Sequence, residues 1–450
     1  MKISRYTAKT VSCLLCMLLL FFSLFAPCAN AAMYDKEKIA SPYAVVYNVE
    51  NGTFIFEDNA DAYISTESVA KLMTAILALE HYPDLSAELE VTNNSLQNLD
   101  KFRAGVKIGE TVSVKDLIYT MLIGNCTDSA SVLAHHIGGS QGAFGKMMNA
   151  KAAQLGMEST TFASATGVGA DIEHYHTTVR DGVLLAAYAM QIPRIVEIVN
   201  TVKYQPTSID RPINETVRTR NALLSTFIYG PEKGYLWTAK EYPANGVCVN
   251  YSEESGYSLI SSTTYRSLTY ICMCSGAYET SDGKISVYND VKKLLSWAAK
   301  EYETTKVLDK SQIFGEIPVK LSGGSNFVVV VPEDNLYAFL PHDTDVASEV
   351  TQEFEITTKE LTAPVEKGTI VGKIRLLRGG TEIASCNLVT KLYVEKSETL
   401  AFAAALFGPE MIIGISVLAL AACLFGIIRF FVFLKMAKTT PRYRGKKSSK

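Results

Sequence analysis

Residues 68–79 have the sequence SVAKLMTAILAL, and the first four, Ser68-Val69-Ala70-Lys71, carry both structural and chemical information. Apolar residues recur every three or four positions up to Leu79 without glycine or proline, which predicts a helix. On a helix, Ser68 and Lys71 share one face, so the amine lies within reach of the hydroxyl. A desolvated lysine has a lowered pKa and can accept the serine proton, after which the serine can attack a carbonyl and form an acyl-enzyme.

The S-x-x-K spacing alone is a weak signal. A chain of 450 residues contains roughly one or two chance matches at ordinary serine and lysine frequencies. Ser281-Asp282-Gly283-Lys284 is such a match, in a segment that looks like a turn. An isolated match is more typical of a capped surface helix, so its meaning depends on the surrounding sequence.

The surrounding sequence predicts two domains of different type. Apolar stretches on both sides of Asn51-Gly52 predict a hairpin, helical periods follow over residues 114–192, and strands return after Gly256. This order predicts an α+β domain over residues 34–300 whose sheet joins both ends of the segment. Short β-branched runs punctuated by glycine predict a small all-β domain over residues 306–395.

Both ends of the chain are apolar and flanked by positive charge. Residues 1–31 combine a basic start, an apolar run and a small-residue cleavage pattern, which predicts a signal peptide, with an uncleaved anchor as the alternative. Residues 411–434 are long enough for a transmembrane helix, and the basic tail 435–450 is expected in the cytoplasm. We therefore expect a single-pass cell-membrane protein whose bulk is extracytoplasmic.

The net charge of −3 conceals an uneven distribution. Residues 32–410 contain 46 acidic and 32 basic residues, a balance of −14, whereas residues 411–450 carry +8. An acidic body excludes nucleic acid as an expected partner, because phosphate contacts need a basic face.

The cysteines and histidines predict no metal site and no cofactor. Five of the nine cysteines fall in the exported part, and their spacing matches no zinc pattern. An odd number of exported cysteines is not a disulfide framework.

The wider sequence resembles the low-molecular-mass penicillin-binding proteins, the serine-type D-alanyl-D-alanine carboxypeptidases. Its S-x-x-K follows a hairpin and precedes Leu72-Met73-Thr74-Ala75, and later landmarks appear in the family's order over nearly all of residues 40–395. These include Asp128-Ser129-Ala130, Thr166-Gly167-Val168 and Glu254-Ser255-Gly256. The resemblance implies a penicillin-recognising, β-lactamase-like serine peptidase domain followed by the family's β-rich domain. It also implies peptidoglycan stem peptides and β-lactams as ligands.

By this resemblance, Ser68 is the nucleophile and Lys71 is the base. The family adds a second motif, S-x-N, and a third, K-T-G. The matching positions here are Asn125-Cys126-Thr127 and Cys248-Val249-Asn250, so both motifs depart from the pattern.

The departures affect the implied chemistry. Asn125 has no hydroxyl to relay a proton, although Thr127 retains a donor where the family's asparagine holds the substrate. Cys248 and Val249 provide neither the cation nor the hydroxyl that would bind the substrate's terminal carboxylate. Asn250 adds a side chain where the family has glycine. Each loss of preorganised charge or of a donor costs about 10²–10³ in rate.

Two interpretations of the function stay open from the residues. In one, the protein is a carboxypeptidase that removes the terminal D-alanine of stem peptides through an acyl-serine intermediate. In the other, it is a catalytically impaired homologue that binds cell wall or a partner protein. A β-lactamase is disfavoured by the additional β-domain and the C-terminal span. The second and third motifs face each other in the family fold, so a bridge between Cys126 and Cys248 is a further hypothesis, with two unbridged thiols as the favoured alternative.

Overall fold

A computed structural model describes residues 35, 38–209, 216–407 and 409–437. The predicted signal peptide, residues 1–31, lies outside the described residues, as does the tail beyond residue 437. The described chain divides into two compact units. The first contains the residues up to Thr304 together with Phe339–Thr344, and the second contains Thr305–Ala338 and the residues from Asp345 onward.

The first unit begins and ends with strands and has helices between them. Its strands are β1 (Tyr43–Asn48), β2 (Thr53–Asp58), β3 (Ile64–Ser65), β4 (Glu88–Glu90), β5 (Thr111–Ser113), β6 (His176–Thr177), β7 (Lys203–Tyr204), β8 (Val217–Arg218), β9 (Ala244–Ser252), β10 (Gly256–Tyr265) and β11 (Leu268–Ala277). Its helices are α1 (Glu67–His81), α2 (Val114–Gly124), α3 (Thr127–Gly138), α4 (Gln141–Gln154), α5 (Val179–Ala189), α6 (Pro193–Val199) and α7 (Ser286–Glu301).

A five-stranded antiparallel sheet organises this unit, in the order β2-β1-β11-β10-β9. The β1–β2 hairpin turns at Asn51-Gly52, and β1 pairs with β11 so that Val45 lies opposite Met273. The sheet therefore joins both ends of the segment, as the strand–helix–strand order predicts. Strand β9 is left at the edge, next to the helices.

Helix α1 is central to the helical layer. Every residue from Ser68 to Ala78 is buried, whereas the sequence period indicates only one apolar face. A helix that is buried on all sides lies within a core rather than on its surface. Contacts with β9, α3 and α5 surround it, which fixes the position of its first turn.

The second unit is mainly β, as predicted. Strands β12 (Tyr302–Leu308) and β15 (Leu336–Pro341) extend across the division between the units. The other elements are β13 (Gly315–Lys320), β14 (Phe327–Pro332), α8 (Val346–Glu349), β16 (Val350–Ile356), β17 (Leu361–Thr362), β18 (Ile370–Arg378) and β19 (Thr381–Thr390). The six strands in this list form a sheet in the order β16-β18-β19-β14-β13-β17.

Two apolar helices follow this sheet: α9 (Glu398–Phe407) and α10 (Pro409–Ala437). The run Glu398–Met436 is long and apolar enough to cross a membrane by length and composition. The predicted span, 411–434, lies within α10. Helix α9 has no counterpart in the sequence prediction, which gives no element between the β domain, 306–395, and the span.

Candidate active site

The first turn of α1 holds Ser68 and Lys71, both of which are buried. Ser68 is 3% exposed, and its Oγ donates a hydrogen bond to the Ser65 carbonyl oxygen at 2.8 Å. Lys71 is 1% exposed, and its Nζ has no hydrogen-bond partner within the described residues. The helix thus places both groups at one end of the core, but the serine proton is directed at the main chain.

Strand β9 brings Cys248 against this turn. Its Sγ donates to the Ser68 carbonyl oxygen at 3.4 Å. Burial raises the pKa of the Cys248 thiol to about 11, and the nearby Lys71 charge opposes that shift. At neutral pH, the position that carries a cation in the K-T-G motif therefore holds an uncharged thiol. Since the Cys248 side chain is a thiol, the hypothetical bridge to Cys126 is not formed in this structure.

The second and third motif positions meet through two asparagines. Asn125 follows α2 in the left-handed conformation, with φ of 59°, which asparagine tolerates better than most residues. Its Nδ2 donates to Asn250 Oδ1 at 2.8 Å, and each residue is 4% exposed. The Asn250 amide also lies near the carboxylate of Glu67, the residue before Ser68, and lowers the pKa of that carboxylate.

We call the space between the start of α1, the end of α2 and β9 the cleft. The Asn125–Asn250 hydrogen bond joins two of its sides, and the Asn250 amide lies near Glu67 on the third. Burial raises the pKa of Glu67, while the Lys71 charge and the Asn250 amide oppose that shift. The cleft is therefore closed by side chains of the protein itself, beside a serine that is almost completely buried.

Thr127 is engaged elsewhere. It is fully buried, and its Oγ1 hydrogen-bonds to Asp100 Oδ1 at 2.9 Å and to the Phe102 carbonyl oxygen at 3.1 Å. The neighbouring Asp128 accepts the main-chain N–H groups of Ala104 and Gly105, both at 2.8 Å. The start of α3 therefore anchors the 100–105 loop, and the Thr127 donor is used within it.

Val249 lies on the opposite face of β9 from Cys248, because side chains alternate along a strand. Cys248 packs into the helical side of the sheet, and Val249 packs against the cluster that includes α7. The structure thus brings together Ser68, Lys71, Asn125 and Cys248, with Thr127 and Val249 at the edges.

Two pockets flank the closed cleft. The first, of about 440 Å³, has Asn125, Val249 and Asn250 in its wall and two cations, Lys101 and Arg220, beside four tyrosines. The second, of about 410 Å³, has an acidic lining that includes Glu67. Neither lining includes Ser68 or Lys71.

Glu67, Lys101 and Arg220 are not among the residues expected from the sequence. The Lys101 Nζ lies 5.3 Å from the centre of the neighbouring Phe102 ring, and the Arg220 guanidinium lies 4.0 Å from it. The Arg220 contact joins segments that are more than 100 residues apart, and no local pattern marks it. Within the described residues, no group of three His, Cys, Asp or Glu side chains is placed to hold a metal ion.

Comparison of the chain with known proteins shows the family to which it belongs. A family model described as D-alanyl-D-alanine carboxypeptidase matches residues 29–278, more than half of the chain. The chain belongs to the D-alanyl-D-alanine carboxypeptidase family. A model described as the C-terminal domain of penicillin-binding protein 5 matches residues 302–396 of this family member. The family and the order of its domain types agree with the resemblance found in the sequence.

Individual relatives of this family member span most of the chain at low identity. D-alanyl-D-alanine carboxypeptidase DacC of Escherichia coli is 25% identical over 398 residues, which covers 84% of this chain and 90% of the relative. DacF of Bacillus subtilis is 23% identical over 387 residues, covering 84% and 93%.

A solved structure supports the fold. The crystal structure of penicillin binding protein 5 from Haemophilus influenzae is 23% identical, with a TM-score of 0.57 over 80% of this chain and 98% of that chain. The predicted fold, a penicillin-binding peptidase domain followed by a small β domain, is confirmed. Cell-wall hydrolase is accordingly the functional class of the family.

Proposed function

We propose that this family member is a membrane-anchored, extracytoplasmic protein that binds peptidoglycan stem peptides without turning them over. The observation that carries the proposal is the state of the cleft. Ser68 donates a hydrogen bond to the Ser65 carbonyl, and the Asn125–Asn250 hydrogen bond closes the cleft beside it, next to Glu67. A nucleophile needs a base in contact with its hydroxyl and space for the carbonyl that it attacks.

The altered motifs support the loss of turnover in chemical terms. The substrate's terminal carboxylate would approach a neutral Cys248 thiol where the family has an ammonium group. Removing one preorganised donor or charge costs about 10²–10³ in rate, and two altered motifs act on the same transition state. Ground-state binding can persist when turnover is lost, because the rate of the chemical step depends only on interactions that are stronger in the transition state than in the ground state.

The second candidate is slow hydrolysis through an acyl-serine intermediate. One observation favours it. Ser68 and Lys71 are both retained on the first turn of α1, and the Lys71 amine has no hydrogen-bond partner in the described part of the chain. If the Asn125–Asn250 contact opens, this amine is the available base. β-Lactams would then acylate Ser68.

Labelling with a fluorescent penicillin separates the two candidates. We expect the full-length protein to show no label above its Ser68→Ala variant and to release no D-alanine from a pentapeptide. It should still sediment with isolated peptidoglycan, as should Ser68→Ala. Ser68-dependent D-alanine release would establish the second candidate, and failure to sediment would contradict peptidoglycan binding.

Restoring the motifs tests the cause of the loss. The restored variant combines five substitutions: Asn125→Ser, Thr127→Asn, Cys248→Lys, Val249→Thr and Asn250→Gly. It should gain D-alanine release that disappears when Ser68→Ala is added. A matched variant with only the second-motif changes should gain much less, because the carboxylate would still lack its cation.

The C-terminal helices support the proposed location. The run Glu398–Met436 satisfies the length and composition of a membrane span, and the basic residues beyond it favour a cytoplasmic tail. Protease protection in membrane vesicles tests this topology. Cleavage of the tail from the outside would contradict it.

A further inference from the structure

A groove of about 530 Å³ lies at one end of the β-sheet unit, between β14 and the segment that follows β19. Three large apolar side chains on its rim are exposed to solvent: Phe327 by 41%, Leu392 by 63% and Tyr393 by 49%. Exposed apolar side chains that line one groove are candidates for contact with an apolar environment. None of these residues takes part in the cleft.

The groove lies where the chain leaves the sheet for the apolar helices. The Gly323 N–H donates to the Glu395 carbonyl oxygen at 2.9 Å, and the Ser397 N–H donates to the Leu321 carbonyl oxygen at 2.7 Å. These bonds fix the segment directly before α9, which begins at Glu398. Because an extended residue spans at most about 3.6 Å, Tyr393 lies within about 18 Å of the start of α9.

Helix α9 needs an apolar environment. No polar residue follows Thr399 in it, and Leu400 and Phe402 are 50% and 69% exposed. The run Glu398–Met436 has 39 residues, whereas about 20 residues cross the hydrocarbon core of a bilayer. With the span in α10, as proposed, this excess length leaves α9 on the same side of the membrane as the β-sheet unit.

We propose that the groove rim, formed by Phe327, Leu392 and Tyr393, inserts into the interfacial region of the lipid bilayer. The occupant is lipid rather than a protein, because the rim is continuous along the chain with the membrane helices. Aromatic side chains are favoured at the headgroup level. The exposed Lys391 and Lys396 flank the rim, and their charges can reach the headgroups while their stems stay apolar.

This inference rests on the proposed membrane anchoring, so its test reports on both. The full-length protein is placed in phosphatidylcholine nanodiscs with or without bromine near the top of the acyl chains. One variant, Leu392→Trp, carries a tryptophan on the rim. The matched control, Ile313→Trp, is also at an exposed apolar site, 58% exposed. The Phe314 N–H donates to the Val330 carbonyl oxygen, so Ile313 lies near the far end of β14 from Phe327.

Brominated lipid should quench the tryptophan at position 392 at least about twofold more than the one at position 313, after subtraction of the signal from Trp237 and Trp297. Equal quenching of the two variants in protein that stays in the nanodiscs overturns the insertion and leaves the anchoring intact. Protein that does not enter nanodiscs overturns the anchoring itself. Self-association of the protein that shields the tryptophan at position 392 from the brominated lipid, without quenching, also overturns the insertion. The rim would then contact a second copy of the protein.

Discussion

Replacing Asn250 with glycine should open the cleft, because its side-chain amide accepts the hydrogen bond from Asn125 and lies near Glu67. A neutral hydrogen bond contributes about 1 kcal/mol after exchange with water is counted, so about 1 kcal/mol is a working value for the bond that holds the cleft closed. At 1.4 kcal/mol per factor of ten, the open population should rise about 5-fold.

Alkylation of a thiol at position 68 measures this opening directly. The background is Ser68→Cys, which changes one atom and places the reactive group in the buried position. Iodoacetamide is added to folded protein, and mass spectrometry follows the peptide that contains position 68. The rate should be about 5-fold higher when Asn250→Gly is added, because the reagent reaches only the open form.

The matched control is Asn245→Gly, the same substitution five residues earlier on β9. Asn245 hydrogen-bonds Ser262 and Asn200 and contacts neither Asn125 nor Glu67 by hydrogen bond. Its effect on alkylation at position 68 should be small. Equal rates for the Asn250→Gly and Asn245→Gly variants, with unfolding free energies that match, would refute the closure of the cleft by Asn250.

Three further predictions concern single side chains. Burial raises the pKa of Glu67, so the folded state loses stability as the pH rises above 4.5, the ordinary pKa of the side chain. Glu67→Gln should remove this loss of unfolding free energy in urea titrations between pH 4 and 7. A pH profile that the substitution leaves unchanged would contradict this prediction. Asp116 accepts hydrogen bonds from the Tyr204 hydroxyl and from Ser208, so Asp116→Ala should lower the free energy of unfolding by about 3 kcal/mol or more. The same substitution at an exposed aspartate should change the free energy of unfolding much less. A Cys248 pKa of about 11 leaves roughly 0.1% thiolate at pH 8, so this thiol should resist iodoacetamide until the protein unfolds, and rapid modification would show an accessible thiol.

Local signals predict much of the fold. Asn51-Gly52 fixes the first hairpin, and an uninterrupted helical period fixes α1, because turn chemistry and periodicity act within a few residues. Helix α6 (Pro193–Val199) is too short for its period to be seen. Helix α9 is almost entirely apolar and has no period at all.

The site is less predictable from sequence, because its decisive contact joins residues 125 positions apart. The altered motifs and the two cysteines are visible in the sequence. The contact that the sequence suggests is a disulfide bridge between these cysteines. In the structure, the two asparagines meet instead. The left-handed backbone at Asn125 directs its amide toward β9, and strand alternation places Asn250 on the same face as Cys248. The catalytic and binding roles of these residues stay predictions.

The proposed function requires that the retained Ser68 no longer supports turnover. The most direct measurement is D-alanine release from a pentapeptide by the full-length protein, compared with its Ser68→Ala variant at equal concentration. We predict the same background rate for both, with no burst of product. Release above this background that depends on Ser68, even at a turnover number far below that of ordinary enzymes, would contradict the claim.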